Sequence, residues 1–289
     1  MTPITINAAN STVTNNNRYV FPVRGGLQLR NMEVALVKGF IFNSVFNVSQ
    51  SAFGNNSFQY SYPSSGSDGS NAGTSSFSVT MQDGHYDIDT INDFLHQKMV
   101  ENKTYLIDNN GENVYYLSLN VSLVYYAVVV KCTPLPTVLP AGWTLPVGAP
   151  ALPVVTSTPQ LKVVSAQFGS LIGYEVGSYP SVPQPTIYLV IGTKQAEVNP
   201  QYAFNVCLDV VNSPMTNSVA NTIFPFSFTT GFTGQEILDP YVHKFYPCVD
   251  GKYSQIVLSI LDQQNRPALL NTKFAQFTIE FREQLLKKL

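Results

Sequence analysis

The stretch Asp83-Gly84-His85-Tyr86-Asp87-Ile88-Asp89 gathers three carboxylates and an imidazole within seven residues. Carboxylate oxygens and a ring nitrogen of this kind could share a divalent cation. The spacing is not that of a calcium loop, because no bidentate Glu closes it. A strand-to-helix turn accounts for the same residues: Gly84 makes the bend, and Asp87 or Asp89 accepts hydrogen bonds from the free amides of a first helical turn. Nucleophilic chemistry has weaker support. Cys132, Cys207 and Cys248 are odd in number and far apart, as expected for buried free thiols in a reducing compartment. Any of them could pair with His85, His96 or His243, but no local signature joins them. Gly169-Ser170-Leu171-Ile172-Gly173 misses the Gly-x-Ser-x-Gly elbow by one residue, and no phosphate-cradling Gly-x-x-x-x-Gly-Lys-Ser/Thr occurs. The expectation is a non-enzyme, with no catalytic, cofactor-binding or metal-binding residue and no cofactor.

The elements that would position these groups are mostly strands. Arg18–Val23, Glu33–Phe46, Ser57–Tyr62 and Phe77–Met81 are rich in β-branched and aromatic residues. One helix follows, with Ile88, Ile91, Leu95 and Met99 at helical spacing on one face. Thr104–Ile107 and Val114–Leu119 flank Asp108-Asn109-Asn110-Gly111, a hairpin signal, and the pattern runs on through Val121–Cys132. Seven prolines between residues 133 and 160 remove backbone donors, which predicts an irregular insertion or surface loop containing the sole tryptophan, Trp143. Further strands are expected at Gln160–Ser165, Thr186–Ile191, Tyr202–Val211, Thr222–Thr229, Gln255–Leu261 and Phe274–Phe281. Many short strands with one helix predict an all-β fold: a single jelly-roll β-sandwich domain over 1–289 with one short helix and a Pro-rich insertion at 133–160. The polar arm 1–17 and Glu283–Leu289 lack the pattern of packed strands and are expected to reach outward. The Ser/Gly-rich stretch 64–75 and residues 133–160 are expected at exposed rims.

Composition narrows the function. The chain has 289 residues, a net charge of −2 and only 12% charged residues against 44% hydrophobic ones. That excludes a disordered chain. No Lys/Arg cluster marks a nucleic-acid face, so direct sequence-specific nucleic-acid binding is not expected. The longest apolar stretch, Tyr125–Val130, is too short for a membrane span. The start Met1-Thr2-Pro3-Ile4-Thr5-Ile6-Asn7 has no basic or apolar leader pattern, so the chain is expected to be made and kept inside a cell. Five Asn-x-Ser/Thr sequons (Asn10, Asn47, Asn55, Asn102, Asn120) match the roughly four that this composition gives by chance. Abundant aromatics suit a sandwich core and subunit interfaces; exposed rings that stack on sugars are the alternative, and make a carbohydrate- or receptor-binding module the second reading.

Read in order, Asn31–Leu36, Phe42–Asn47, Phe58-Gln59-Tyr60, Asp83–Leu95, Phe168–Tyr174 and Gly177-Ser178-Tyr179-Pro180 resemble the minor capsid (penton) proteins of virophages and Polinton-type viruses. Gly251-Lys252-Tyr253-Ser254 and Leu261–Pro267 before the last strand are similar too, and the stretch 133–160 departs from the pattern. The resemblance implies a single jelly roll, a homopentamer at the vertex of an icosahedral double-stranded DNA virus particle, and a double-jelly-roll major capsid protein as partner. It places the chain in the virion, assembled inside the host cell, with a host receptor as a further possible partner. A ring of this kind uses heterologous contacts, so two different apolar flanks are expected.

Overall fold

The computed structural model describes residues 3–65, 73–122, 124–125, 127–211 and 221–284. The chain divides into two units, Met1–Phe46 with Gln201–Leu289, and Asn47–Pro200. The first unit opens with β1 (Ile4–Asn7), β2 (Thr12–Thr14), β3 (Arg18–Leu29) and β4 (Met32–Phe42). The second holds β5 (Ser57–Ser64), β6 (Gly73–Thr80), α1 (Ile88–Glu101), β7 (Leu106–Ile107), β8 (Asn113–Val114), β9 (Leu117–Ser122) and β10 (Ala127–Cys132). It continues with β11 (Gln160–Val163), α2 (Ala166–Ile172), β12 (Gly177–Tyr179) and β13 (Tyr188–Ile191). The chain then returns through β14 (Phe204–Leu208), β15 (Thr222–Phe226), β16 (Gln235–Leu238), β17 (Tyr246–Pro247), β18 (Gly251–Asp262) and β19 (Ala275–Glu283). This is an all-β, jelly-roll-type sandwich architecture with two helices among the described residues.

In the first unit one sheet runs β1-β19-β4-β16, with β17 also on β4, and the other runs β15-β14-β18-β3-β2. Along β19, Ala275, Phe277, Ile279 and Phe281 are buried while the residues between them are not, the period-2 signature of a sheet with one face in the core. Phe277 and Ile279 share that core with Val34 and Leu36 of β4, and with Val206, Leu258 and Ile260 of the opposite sheet. Each such side chain contributes about 1.5–3 kcal/mol by leaving water.

The second unit contains the four-stranded sheet β12-β11-β5-β6, the three-stranded sheet β13-β10-β9 and the hairpin β7-β8. Helix α1 presents Ile88, Ile91, Leu95 and Met99 to its core, as the spacing predicts. Phe58 of β5 stacks on Phe168 of α2 with ring centroids 4.6 Å apart, both buried.

Several expectations need correction. The N-terminal arm is not free: β1 pairs with β19 (Ile4 with Ile279, Ile6 with Phe277), and Ile6 is fully buried. The alternation in Ile4-Thr5-Ile6-Asn7 is short, and a strand added to a sheet edge needs only one inward residue. Glu283 likewise pairs with Met32, and residues 285–289 lie outside those described. The 133–160 segment is irregular and exposed at Val138, Val147, Val154 and Val155, as expected, and it is also tied down at other points. Leu135 is buried and bridges Ser157, Thr158 is buried, and Leu139, Trp143, Leu145 and Leu152 pack on the core. Of the stretch 64–75, Ser64 pairs with Gly73 at the end of the β5–β6 hairpin, and residues 66–72 lie outside those described. A second helix, α2, is added to the one expected.

Candidate functional site

The Asp83–Asp89 cluster forms a folded turn whose acids have separate tasks. The Asp83 carboxylate accepts from Ser49 Oγ at 2.8 Å and from the Gln50 amide at 2.9 Å. Gly84 bridges Val48 through two backbone bonds of 3.0 Å. Asp87 caps α1, accepting from the Thr90 amide at 2.7 Å, while Thr90 Oγ1 accepts from the Asp87 amide at 2.8 Å. These bonds from Thr90, side chain first and backbone second, hold the Asp87 carboxyl below the usual carboxylate range. Among the described residues no group of three or more His, Cys, Asp or Glu is arranged to hold a metal ion. The turn is anchored by Asn47, whose Nδ2 donates to the carbonyls of Tyr86 (2.6 Å) and Val198 (2.7 Å) and whose Oδ1 accepts from the Tyr86 amide (2.8 Å). Two of the sequons, at Asn47 and Asn55, therefore lie at buried, bonded side chains.

The cysteines are placed to stay thiols. All three are free and buried, and burial pushes Cys132 and Cys248 up to about 12. Cys132 Sγ contacts the Tyr179 carbonyl at 3.6 Å, and Cys207 Sγ lies 3.6 Å from Thr222 Oγ1. A nucleophilic cysteine needs the opposite environment, one that lowers its pKa. His96 stacks on Tyr115 at 3.9 Å with Nε2 3.2 Å from the Leu117 carbonyl, and burial lowers its pKa.

The Phe168–Tyr174 stretch is the most tightly constrained of the motifs. Ser165 caps α2 by accepting from the Phe168 amide. Gly173 ends the helix in the left-handed region at φ 79°, and a Cβ there would lie 2.3 Å from the Lys194 carbonyl oxygen. A Cβ on Gly169 would lie 2.4 Å from the Tyr174 carbonyl oxygen. Tyr174 then inserts its hydroxyl between β10 and β13. Its oxygen lies 2.8 Å from the Val190 carbonyl and 3.0 Å from that of Val128, and it accepts from the Val130 amide at 3.2 Å. The near-miss to a nucleophile elbow is thus a joint: the Ser170 carbonyl accepts from the Glu197 amide at 2.9 Å, and that of Gly173 from the Lys194 amide at 3.2 Å.

Beside this joint opens a cleft of about 400 Å³, lined by Tyr125 and Ala127 from the β9–β10 side and by Ile191 through Gln195 from the end of β13. Sequence reading does not single out these residues, since none belongs to a chemical motif, and Gly192, which the fold brings against Gly173, lies too far from it in the chain to signal the cleft.

Apolar side chains also remain in solvent. Phe232, Ile237, Tyr241 and Val242 are exposed along the stretch that borders β4 through β16 and β17. In the second unit Leu189 faces outward opposite Lys131, following exposed Ile187. No helix among the described residues is long and apolar enough to cross a membrane.

No family model matches the chain, and no curated protein does. Among solved structures, the chain is similar to the crystal structure of the mavirus penton protein, with a TM-score of 0.43 and 8% identity over 98% of this chain and 98% of that one.

Proposed function

We propose that the chain is a structural minor capsid (penton) subunit, five copies of which form the vertex of an icosahedral double-stranded DNA virus particle beside a double-jelly-roll major capsid protein. The ordered motif resemblance motivates this reading, and one observation on the molecule carries it. With only 12% charged residues, the chain leaves apolar side chains in water on each unit: the Ile237–Val242 edge of one and the Ile187–Leu189 face of the other. Scattered exposed apolar residues need no explanation, whereas runs along a sheet border suit burial by a neighbour. Two separate patches, one on each unit, are what a heterologous ring requires. The role is architectural, without catalysis, and the site of action is the virion.

Light scattering with electron microscopy on the purified chain tests this. A species near 159 kDa, about five times the 31.8 kDa chain mass, with five-fold rings is the expected result. Ile237→Asp should shift that species toward monomer without changing the melting temperature. A wild-type monomer that also fails to enter particles on co-expression with a double-jelly-roll capsid protein would overturn the assignment.

A further inference from the structure

We infer that the cleft at the Gly192 end of β13 binds a neutral saccharide unit. This does not rest on the capsid reading, since the cleft lies within the second unit and its chemistry is read from its own residues. Its volume of about 400 Å³ falls within the roughly 300–1,000 Å³ of small-molecule sites.

The floor is fixed before any ligand arrives. A Cβ on Gly192 would lie 2.8 Å from the Gly173 carbonyl oxygen and 3.1 Å from the Tyr174 ring, so the backbone there is bare by necessity. The Gly192 amide donates to the Val128 carbonyl at 2.8 Å, and the Lys194 and Glu197 amides are tied to the end of α2. Both ends of the 192–197 segment are therefore anchored, which lowers the ordering cost of binding.

The lining then sets the ligand class. Tyr125 is 65% exposed, an aromatic face held in solvent. Among the lining residues Ala127 and Ile191 are apolar, while Thr193 and Gln195 carry a hydroxyl and an amide, groups that both donate and accept. A pyranose presents the same combination, a C–H face and a rim of hydroxyls. Charge decides between neutral and acidic sugars: the Lys194 ammonium, the cation of the cleft lining, lies 3.2 Å from the Glu175 carboxylate. An acidic sugar would have to compete with that carboxylate, and a neutral one would not.

The test is saturation-transfer NMR on the full chain with the methyl glycosides of glucose, galactose, mannose and N-acetylglucosamine, and with sialic and glucuronic acids as acidic controls. At least one neutral glycoside should bind with a Kd of about 0.1–10 mM. Tyr125→Ala should weaken it at least about tenfold and Gln195→Ala severalfold. Both positions are at the surface, so the circular-dichroism melt should be unchanged and loss of binding would report on the cleft. Absence of binding by all four glycosides, binding that survives both substitutions, or binding by the acidic sugars alone would each overturn the inference. Whether pentamers form is measured separately and bears on the capsid reading alone.

Discussion

At the scale of single residues, two buried polar groups stand out. Tyr174 substitutes its hydroxyl for part of the β10–β13 ladder, and desolvation raises its pKa well above the usual tyrosine value, so it stays protonated and able to donate. Tyr174→Phe keeps the ring but leaves the Val130 amide and the Val190 carbonyl without this partner. The expected cost is about 1–3 kcal/mol in urea unfolding, and an unchanged midpoint would show that the hydroxyl is not holding β13. Asp262 is fully buried. Its carboxylate accepts from the amides of Gln264 and Arg266, from Gln201 Nε2 at 3.0 Å and from Arg266 Nε at 2.8 Å. Desolvation alone would raise its pKa, but the bonds from Arg266, Gln264 and Gln201 outweigh it and hold the carboxyl below the usual range. Because the folded-state pKa is depressed, the stabilisation is complete above the unfolded-state value near 4 and is lost as pH falls through the folded one. Wild-type urea midpoints should therefore drop below about pH 4. Asp262→Asn should cost about 1–3 kcal/mol at pH 7, since the Arg266 side chain left behind is part-exposed and only the bonds to the carboxylate are lost, and should flatten that acid limb; an equally steep limb in the variant would place the acid sensitivity elsewhere. The Leu261–Pro267 motif was visible in the sequence, whereas its role as a carboxylate-centred loop was not, because Gln201 reaches it from 61 residues away.

At the scale of elements, legibility followed how far each segment supplies its own pattern. Helix α1 is legible, with Asp87 or Asp89 as its cap, because a capping carboxylate and four apolar residues at helical spacing lie together in one short stretch; the structure makes the cap Asp87, boxed with Thr90. Helix α2 was not, since seven residues are too few to show a period and Gly169 interrupts them for the sake of a close backbone approach. Strand β16 was hidden for a different reason. Its inward Glu236 reads as polar, yet it is buried and accepts from the Thr229 and Thr230 amides at 2.8 and 3.2 Å. An inward charge of this kind also discourages unintended pairing along a sheet edge. Strand β1 gives the clearest test. Removing residues 1–15 exposes Ile6 and the edge of β19, and should lower the melting temperature by about 5 °C or more. An unchanged melt would restore the view of this segment as an unpacked arm.

At the scale of the whole molecule, the chain leaves the first unit after Phe46 and returns to it at Gln201. The second unit is thus continuous in sequence, and the residues described in its buried cluster run from Val48 to Tyr174. The first unit is built from both ends of the chain: β3 pairs with β18 and β4 with β19, joining segments more than two hundred residues apart. Most of these strands are legible in the sequence as one jelly-roll domain over 1–289, and alternation along a strand says which face is buried and not which core it enters. We propose that this continuous unit, with its own core, folds by itself. Residues 47–200 expressed alone should therefore give near-native β content, a cooperative urea transition and a pattern of slow amide exchange in β10 and α1 like that of the full chain. The single-domain expectation makes the opposite forecast: the excised segment would be unfolded, and the full chain would lose all of its strands in one transition.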